Sequence, residues 1–181
     1  MIITHKSSPQ INQLSLARFA ARARRELKLA TVNILLTDDR EVRDLNRTFR
    51  KKDKATDVLS FPAISQAGDD FVGDIAISVE YAARSAQRFD LELQQELKIL
   101  ILHGLIHLSG HDHEIDDGEM ARVESRLRRK LGLPAGLIAR SESGHRNDSS
   151  RAKAVQVSRR RSTISSRTLP GKTPRPKGSI R

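Results

Sequence analysis

The stretch LKILILHGLIHLSGHDH, residues 97–113, contains the most apolar run of the chain and four of its six histidines. From Leu97 onward, apolar residues fall on nearly all sides of a helix, which predicts a helix over residues 91–109 that is buried on most of its surface. Gly110 follows this run, and glycine commonly ends helices because it adopts a positive φ without penalty. We therefore expect a buried helix that ends in a sharp turn.

The histidines of this stretch have the spacing of a metal site. Residues four apart on a helix share one face, with Cβ atoms about 5–6 Å apart, so His103 and His107 can direct ring nitrogens to one point. The turn at Gly110 would let His113 return to the same point. Zinc prefers four ligands in a tetrahedron and binds histidine nitrogens at about 2.0–2.1 Å. Three histidines therefore predict one Zn²⁺ ion whose fourth position stays open for water, as in catalytic sites.

Other polar residues nearby have two alternative roles each. By spacing alone, His111 could replace His113 as a ligand. Fewer residues separate it from the end of the helix, so the chain has less length in which to turn back, and His111 is the weaker candidate. We interpret it as a neighbour that contacts substrate or supports a ligand. Asp57, Asp74 and Asp112 could each orient a ligand histidine through its other ring nitrogen. They could equally cap turns, which is the commoner role of Asp in loops.

The histidine spacing also matches the zinc peptidase signature H-E-x-x-H-x-x-G-x-x-H, with one difference. Directly after the first histidine the peptidases have a general-base glutamate, whereas this chain has Gly104. Peptide hydrolysis by that mechanism needs the carboxylate, so a zinc metallopeptidase-like hydrolase becomes the alternative hypothesis. A metal ion can still activate water and polarise a phosphoryl oxygen, which favours phosphodiester cleavage.

The pattern of residues 1–139 indicates an α+β domain. β-branched and apolar runs predict about four short strands, near residues 2–5, 31–37, 57–62 and 72–78. Helical spacing predicts about five helices, layered on the sheet. The helices are predicted to begin after Pro9, near Asp38, after the capping residue Ser78, near Leu91 and near Met120. In the second of them, Val42, Leu45 and Phe49 are predicted to form the buried face.

The balance of basic and acidic residues changes near residue 140. The net charge is +11, but residues 140–181 hold 12 Lys and Arg against 2 acids, whereas residues 1–139 hold 21 against 20. The second segment is also rich in Ser, Pro and Gly, so we predict a disordered basic tail over residues 140–181. Such a tail acts as a solubilising extension or as a non-specific phosphate-binding arm.

Composition excludes several classes of protein. The chain has no Cys, which excludes disulfides and thiolate metal sites. No apolar run is long enough for a transmembrane helix, and the first residues lack the apolar core of a signal peptide. We therefore expect a soluble cytoplasmic protein without a membrane partner.

Three motifs resemble those of the bacterial rRNA maturation factor family, the YbeY-type endoribonucleases. They are FRKKDKATDVLSFP at residues 49–62, GDIAIS at residues 73–78 and HGLIHLSGHDH at residues 103–113, and the resemblance spans residues 2–135. It implies a mixed sheet of about four strands beside a zinc cleft, with one Zn²⁺ held by His103, His107 and His113. It also implies a single-strand-specific endoribonuclease that acts in 16S rRNA 3′-end processing, ribosome maturation and ribosome quality control.

The resemblance further implies that Arg50 is a catalytic residue. A guanidinium group binds phosphate oxygens through two hydrogen bonds and stabilises the charge that develops in phosphoryl transfer. Without the resemblance, Arg50 would be read as part of a solvated charged loop. The implied partners are precursor 16S rRNA and ribosomal subunits, with ribosomal or assembly-factor proteins as further candidates. A non-catalytic ribosome-assembly factor with a structural zinc is the second alternative.

Overall fold

The computed structural model describes residues 2–4, 8–63, 70–111 and 116–134. The predicted ligand His113, the predicted domain boundary after residue 139 and the predicted basic tail, residues 140–181, lie outside the described residues. The described residues form four strands and five helices, which confirms the α+β class. In chain order they are β1 (Ile2–Thr4), α1 (Gln13–Glu26), β2 (Thr31–Thr37), α2 (Asp39–Arg50), β3 (Val58–Pro62), β4 (Phe71–Ser78), α3 (Val79–Arg88), α4 (Leu93–Leu108) and α5 (Glu119–Leu131).

The four strands form a mixed sheet in the order β1-β2-β4-β3. β1, β2 and β4 are parallel, and β3 is antiparallel to β4 at the edge of the sheet. Pro62 has no N–H to donate, and the edge position of β3 accommodates it. Ile34 pairs with Ile75 and Leu36 with Ile77, and all four side chains are buried. The implied mixed sheet of four strands is therefore confirmed.

Helix α4 is the central element of the described fold. It contacts β3 and β4 of the sheet and also α1, α3 and α5. Its residues from position 99 to position 106 are all buried, as the sequence predicted for a helix that is apolar on nearly all sides. The backbone N–H of Glu92 donates to the Gln95 side chain at 3.2 Å and so caps the start of the helix. None of the described helices is both long and apolar enough to cross a membrane.

The prediction of a buried Phe49 is wrong. Its side chain is 64% exposed, and its ring packs edge-on against that of Phe61 with centroids 5.1 Å apart. The inward position at the end of α2 belongs instead to Asn46, whose Nδ2 donates to the carbonyl oxygen of Lys54 at 2.8 Å. Lys51 ends the helix in a left-handed conformation, with φ of 59°. The last turn of α2 is therefore positioned by a polar contact with the following loop rather than by an apolar stripe.

Two glycines allow α4 to lie directly against the antiparallel edge of the sheet. A Cβ at Gly104 would lie 3.0 Å from two carbons of Ile75 and 3.2 Å from Ser60 Oγ. A Cβ at Gly73, where φ is +152°, would lie 2.3 Å from the carbonyl oxygen of Phe61 and 3.0 Å from Leu108 Cδ2. Side chains at these two positions would push the helix away from β3 and β4.

We expect Gly73→Ala to lower the free energy of unfolding by about 3 kcal/mol or more, because the added methyl group collides with a backbone carbonyl and the backbone is strained. Gly132→Ala is the matched control. Gly132 also has a positive φ, of 72°, but its Cβ would meet no atom within 4 Å, so only a backbone cost of roughly 1–2 kcal/mol is expected. Urea unfolding followed by circular dichroism measures both, and equal losses would contradict the predicted clash.

Candidate metal centre

His103 and His107 lie one turn apart on α4 and direct their rings to one point. Their Nε2 atoms are 3.2 Å apart, and their ring planes meet at 79° with centroids 4.7 Å apart. Two nitrogens bound to one tetrahedral zinc at its usual bond length lie about 3.3–3.4 Å apart. The two imidazoles therefore have the separation expected of two ligands of a single ion.

The histidine pair is enclosed by the core on one side. His103 is 4% exposed, whereas His107 is half-buried, so solvent reaches the pair from the side of His107. Ser60 Oγ on β3 donates to the carbonyl oxygen of Gly104, between the two histidines, at 3.3 Å. The edge strand therefore holds the helix at the level of the pair.

A Schellman motif ends α4 and redirects the chain after the histidine pair. Gly110 has a φ of +94°, its N–H donates to the His107 carbonyl at 3.0 Å, and the His111 N–H donates to the Ile106 carbonyl at 3.4 Å. This confirms the predicted glycine turn. A Cβ at Gly110 would meet no atom within 4 Å, so the position needs glycine for its backbone conformation and not for space.

Hydrogen bonds fix the chain at Asp116, three residues after the predicted ligand His113. Asp116 accepts hydrogen bonds from the N–H groups of Gly118 at 2.8 Å and Met120 at 2.9 Å, which fixes the start of α5. These bonds, that from Met120 first, hold the pKa of Asp116 below its ordinary value, so its carboxylate stays ionised. Residues 112–115, which include His113 and Asp112, lie outside the described residues, but both flanks of that segment are anchored.

His111 forms a hydrogen bond through one ring nitrogen and lies near a carboxylate with the other. Its Nδ1 lies 3.0 Å from Ser109 Oγ, and its Nε2 lies 3.9 Å from Glu119 Oε1. These contacts favour the interpretation of His111 as a neighbour of the site and not as a ligand.

The two described candidate aspartates are engaged locally. Asp57 Oδ1 accepts hydrogen bonds from the Val58 N–H at 2.8 Å and from Thr56 Oγ1 at 2.9 Å. Asp74 Oδ1 accepts one from Asn33 Nδ2 on the neighbouring strand at 3.1 Å. Of the two roles that the sequence left open, these contacts favour turn and sheet stabilisation over orientation of a histidine.

Arg50 is the exposed last residue of α2, and its side chain makes no hydrogen bond or ion pair with any other residue of the described ranges. Two other arginines of α2 differ from it in this respect. Arg43 Nε contacts Asp53 at 2.8 Å, a hydrogen bond that holds the pKa of Asp53 below its ordinary value, and Arg47 contacts Asp44 at 2.8 Å. The guanidinium group of Arg50 is thus available for an anion, and its catalytic role stays a prediction.

Gly104 has a structural reason to be a glycine. The Cβ of any residue there would point at Ile75 and Ser60, toward the sheet, and these side chains would have to shift to accommodate it. A glutamate at this position, as in the peptidase signature, would begin by pointing into the core. Among the residues with described positions, no group of three or more His, Cys, Asp or Glu could hold a metal ion, and His103 with His107 supplies two of the three predicted ligands.

Comparison with known proteins identifies the family. A family model described as "Endoribonuclease YbeY" matches residues 3–132, a range that includes Arg50, the histidine pair and position 113. The chain belongs to the endoribonuclease YbeY family.

Individual members of the YbeY family are similar over most of their length. A protein named endoribonuclease YbeY from Koribacter versatilis is 51% identical over 142 residues, which are 78% of this chain and 91% of that protein. A YbeY endoribonuclease of Solibacter usitatus is 48% identical over 143 residues, with 78% and 95% covered. The solution structure of TM1509 from Thermotoga maritima superimposes with a TM-score of 0.53 at 26% identity, covering 72% of this chain and 89% of that one.

We expect Gly104→Glu to destabilise the protein without creating a peptidase. The variant buries a carboxylate against Ile75, so the free energy of unfolding should fall by about 3 kcal/mol or more. Gly104→Ala is the control for the added methyl group, with a smaller loss of about 1–2 kcal/mol that better helix propensity partly offsets. Thermal unfolding and digestion of casein are the two measurements, and a stable Gly104→Glu protein that digested casein would refute this account of the position.

Proposed function

We propose that this protein is a metal-dependent, single-strand-specific endoribonuclease that cleaves phosphodiester bonds in precursor 16S rRNA. Membership of the YbeY family supports the endoribonuclease activity. The observation that carries the metal dependence is the 3.2 Å approach of the two Nε2 atoms at the end of α4, beside a glycine turn.

Zinc is the proposed metal, and His103, His107 and His113 are the proposed ligands. An all-imidazole set without thiolates suits Zn²⁺ in a catalytic rather than a structural site. When bound, the ion supplies Lewis acidity toward a phosphoryl oxygen and makes water more acidic. The packing of Gly104 on the sheet supports the placement of His103 and His107, and the turn at Gly110 would let His113 approach them.

Arg50 is proposed to bind the scissile phosphate. Its guanidinium group is exposed and makes no ion pair with a described residue, so no intramolecular bond has to break before it binds an anion. A guanidinium–phosphate contact is charge-assisted and bidentate, and it strengthens as negative charge develops on the phosphoryl group. The exposed residues Lys51, Lys52 and Lys54, which follow it, would add general attraction for the RNA backbone.

The biological setting is proposed from the three motifs that the chain shares with the rRNA maturation factor family. It comprises 16S rRNA 3′-end processing, ribosome maturation and quality control in the cytoplasm, on ribosomal subunits and with ribosomal or assembly-factor proteins as further partners. The second candidate function is a non-catalytic assembly factor whose zinc only stabilises the fold. The peptidase alternative loses support because position 104 faces Ile75.

We expect His103→Ala and His107→Ala each to lose bound zinc and to lower cleavage of a precursor 16S rRNA fragment by about 100-fold or more. His111→Ala is the control and should keep its zinc, because His111 is held by Ser109 and faces Glu119. Elemental analysis of the purified proteins and a gel assay with end-labelled RNA give the two readouts.

The same variants separate the two candidate functions. Circular dichroism of the zinc-free protein should show a folded domain that no longer cuts RNA. If removal of zinc unfolded the domain, and if the zinc-loaded protein bound precursor rRNA without cutting it, the metal would be structural and the endoribonuclease proposal would fail.

We expect Arg50→Ala to lower kcat for RNA cleavage by about 100-fold, because a charge-assisted contact to the reacting phosphate is lost. Zinc content and thermal stability should stay unchanged, since Arg50 has no bond to lose within the described fold. Arg47→Ala, on the same helix but paired with Asp44, is the matched control and should stay within a few-fold of the parent rate. Similar losses in both variants would show that the effect is general electrostatics and not a specific contact.

A further inference from the structure

Positive and negative residues are unevenly distributed within residues 1–139, although their charges nearly cancel. Residues 13–28 and 119–131, which contain α1 and α5, carry ten Lys and Arg against three acids, a net charge of +7. The other residues up to position 139 carry eleven Lys and Arg against seventeen acids, a net charge of −6. The two helices therefore form a strongly basic part of an otherwise acidic domain.

The cations of α1 and α5 lie in a stripe on the outer face of each helix. The buried residues of the two helices, such as Leu16, Ala23 and Leu127, face the core. Seven exposed cations lie on the outer side of the helices, and an eighth, Lys28, follows the end of α1. We call these eight the α1–α5 surface: Arg18, Arg22, Arg25, Lys28, Arg122, Arg126, Arg129 and Lys130.

The two stripes form one surface because the helices touch. Arg22 Nη2 donates to the carbonyl oxygen of Lys130 at 3.0 Å, and Lys130 Nζ contacts Glu26 Oε2 at 2.6 Å. At its other end the α5 stripe begins with Arg122, whose Nη1 donates to the carbonyl oxygen of Asp117 at 3.2 Å. Glu119, three positions before Arg122, lies 3.9 Å from His111 Nε2, and His111 directly follows the turn that ends α4 after His107. The surface therefore extends from the C-terminal end of α4, along α5, to α1.

Helix stability accounts for only part of these cations. Arg25, Arg129 and Lys130 lie in the last turn of their helix, where the helix dipole favours a positive charge. Arg122, by contrast, lies near the N-terminus of α5, where the dipole disfavours one. Arg18 and Arg22, like Arg122 and Arg126, are like-charged pairs four residues apart, which destabilise a helix. Arg24 and Arg128, by contrast, donate inward to backbone carbonyls and serve the fold.

We propose that the α1–α5 surface binds the phosphate backbone of the RNA outside the cleavage cleft. The proposal rests on the proposed function for the identity of the polyanion. RNA that occupies the metal centre would continue past Asp117 onto Arg122 and then along α5 toward α1. Short RNA would be bound by the cleft alone, whereas longer RNA would gain the second contact.

The composition of the surface favours a nucleic-acid backbone over an acidic protein. Protein interfaces are centred on apolar and aromatic anchors. Leu14 is the one large apolar side chain of α1 and α5 that is exposed, at 61%, and the ring of Phe19 is half-buried with Lys98 Nζ 6.0 Å from its centroid. Exposed guanidinium and ammonium groups without an exposed aromatic ring among them suit phosphates, not stacked bases.

The test compares two full-length variants that lose the same charge. The surface variant carries Arg18→Gln, Arg25→Gln, Arg126→Gln and Arg129→Gln, and the control variant carries Arg40→Gln, Arg47→Gln, Arg84→Gln and Arg88→Gln on α2 and α3. For the surface variant, the slope of log Kd against log salt for a single-stranded RNA of about 40 nucleotides should fall by about 3, and the Kd should rise at least about 10-fold near 100 mM salt. The control variant should change the slope by less than about 1.

Cleavage provides a second readout. In the surface variant, kcat/KM should fall at least about 10-fold for the long RNA and stay unchanged for an oligonucleotide of about 6 nucleotides, which is too short to leave the cleft.

Equal losses on long and short RNA, or salt slopes that match the control variant, would overturn the inference. A surface variant that bound RNA normally but lost binding to polyglutamate would assign the surface to an acidic protein instead. A parent protein that bound RNA but did not cut it would refute the proposed function, and the slope comparison would still decide this inference.

Discussion

The close approach of α4 to the antiparallel edge of the sheet is the constraint on which both the fold and the candidate site depend. Gly104 lies between His103 and His107, and its missing side chain lets Ile75 and Ser60 contact the helix backbone. Because protein interiors are close-packed, this contact leaves the helix little freedom to shift along or away from the strands. The position of the α4 backbone that carries the two histidines is therefore set by the core of the domain, which is more rigid than a loop.

The features that the sequence predicted correctly are those specified by local patterns. The apolar periodicity of residues 97–108, the cap at Ser78 and the turn at Gly110 each depend on residues within a few positions of one another, and the structure has all three. The strand order β1-β2-β4-β3 and the antiparallel β3 depend on pairing between distant segments, which periodicity does not encode. Phe49 was mispredicted for a related reason, since the contact from Asn46 to Lys54 positions the end of α2.

Gly104 matters both for the chemistry of the site and for the packing of α4. The sequence identifies it as the place of a missing general base, and the structure identifies it as a packing residue. The two roles are linked, because the close packing of this helix on the sheet disfavours a carboxylate side chain at that position. Asp57 and Asp74 do not replace the missing carboxylate from this position, because each accepts local hydrogen bonds through its Oδ1 atom.

The α1–α5 surface, like the strand order, arises from contacts between segments that are distant in the sequence. The stripes on α1 and α5 are visible in the sequence at helical spacing, yet a balance of 21 Lys and Arg against 20 acids over residues 1–139 suggests a domain without a basic surface. Arg22 and Lys130 are 108 positions apart, and only the fold places them in contact. Electrostatic attraction falls off over about 10 Å at moderate salt, so the local arrangement of charges governs polyanion binding and the net charge of the domain does not.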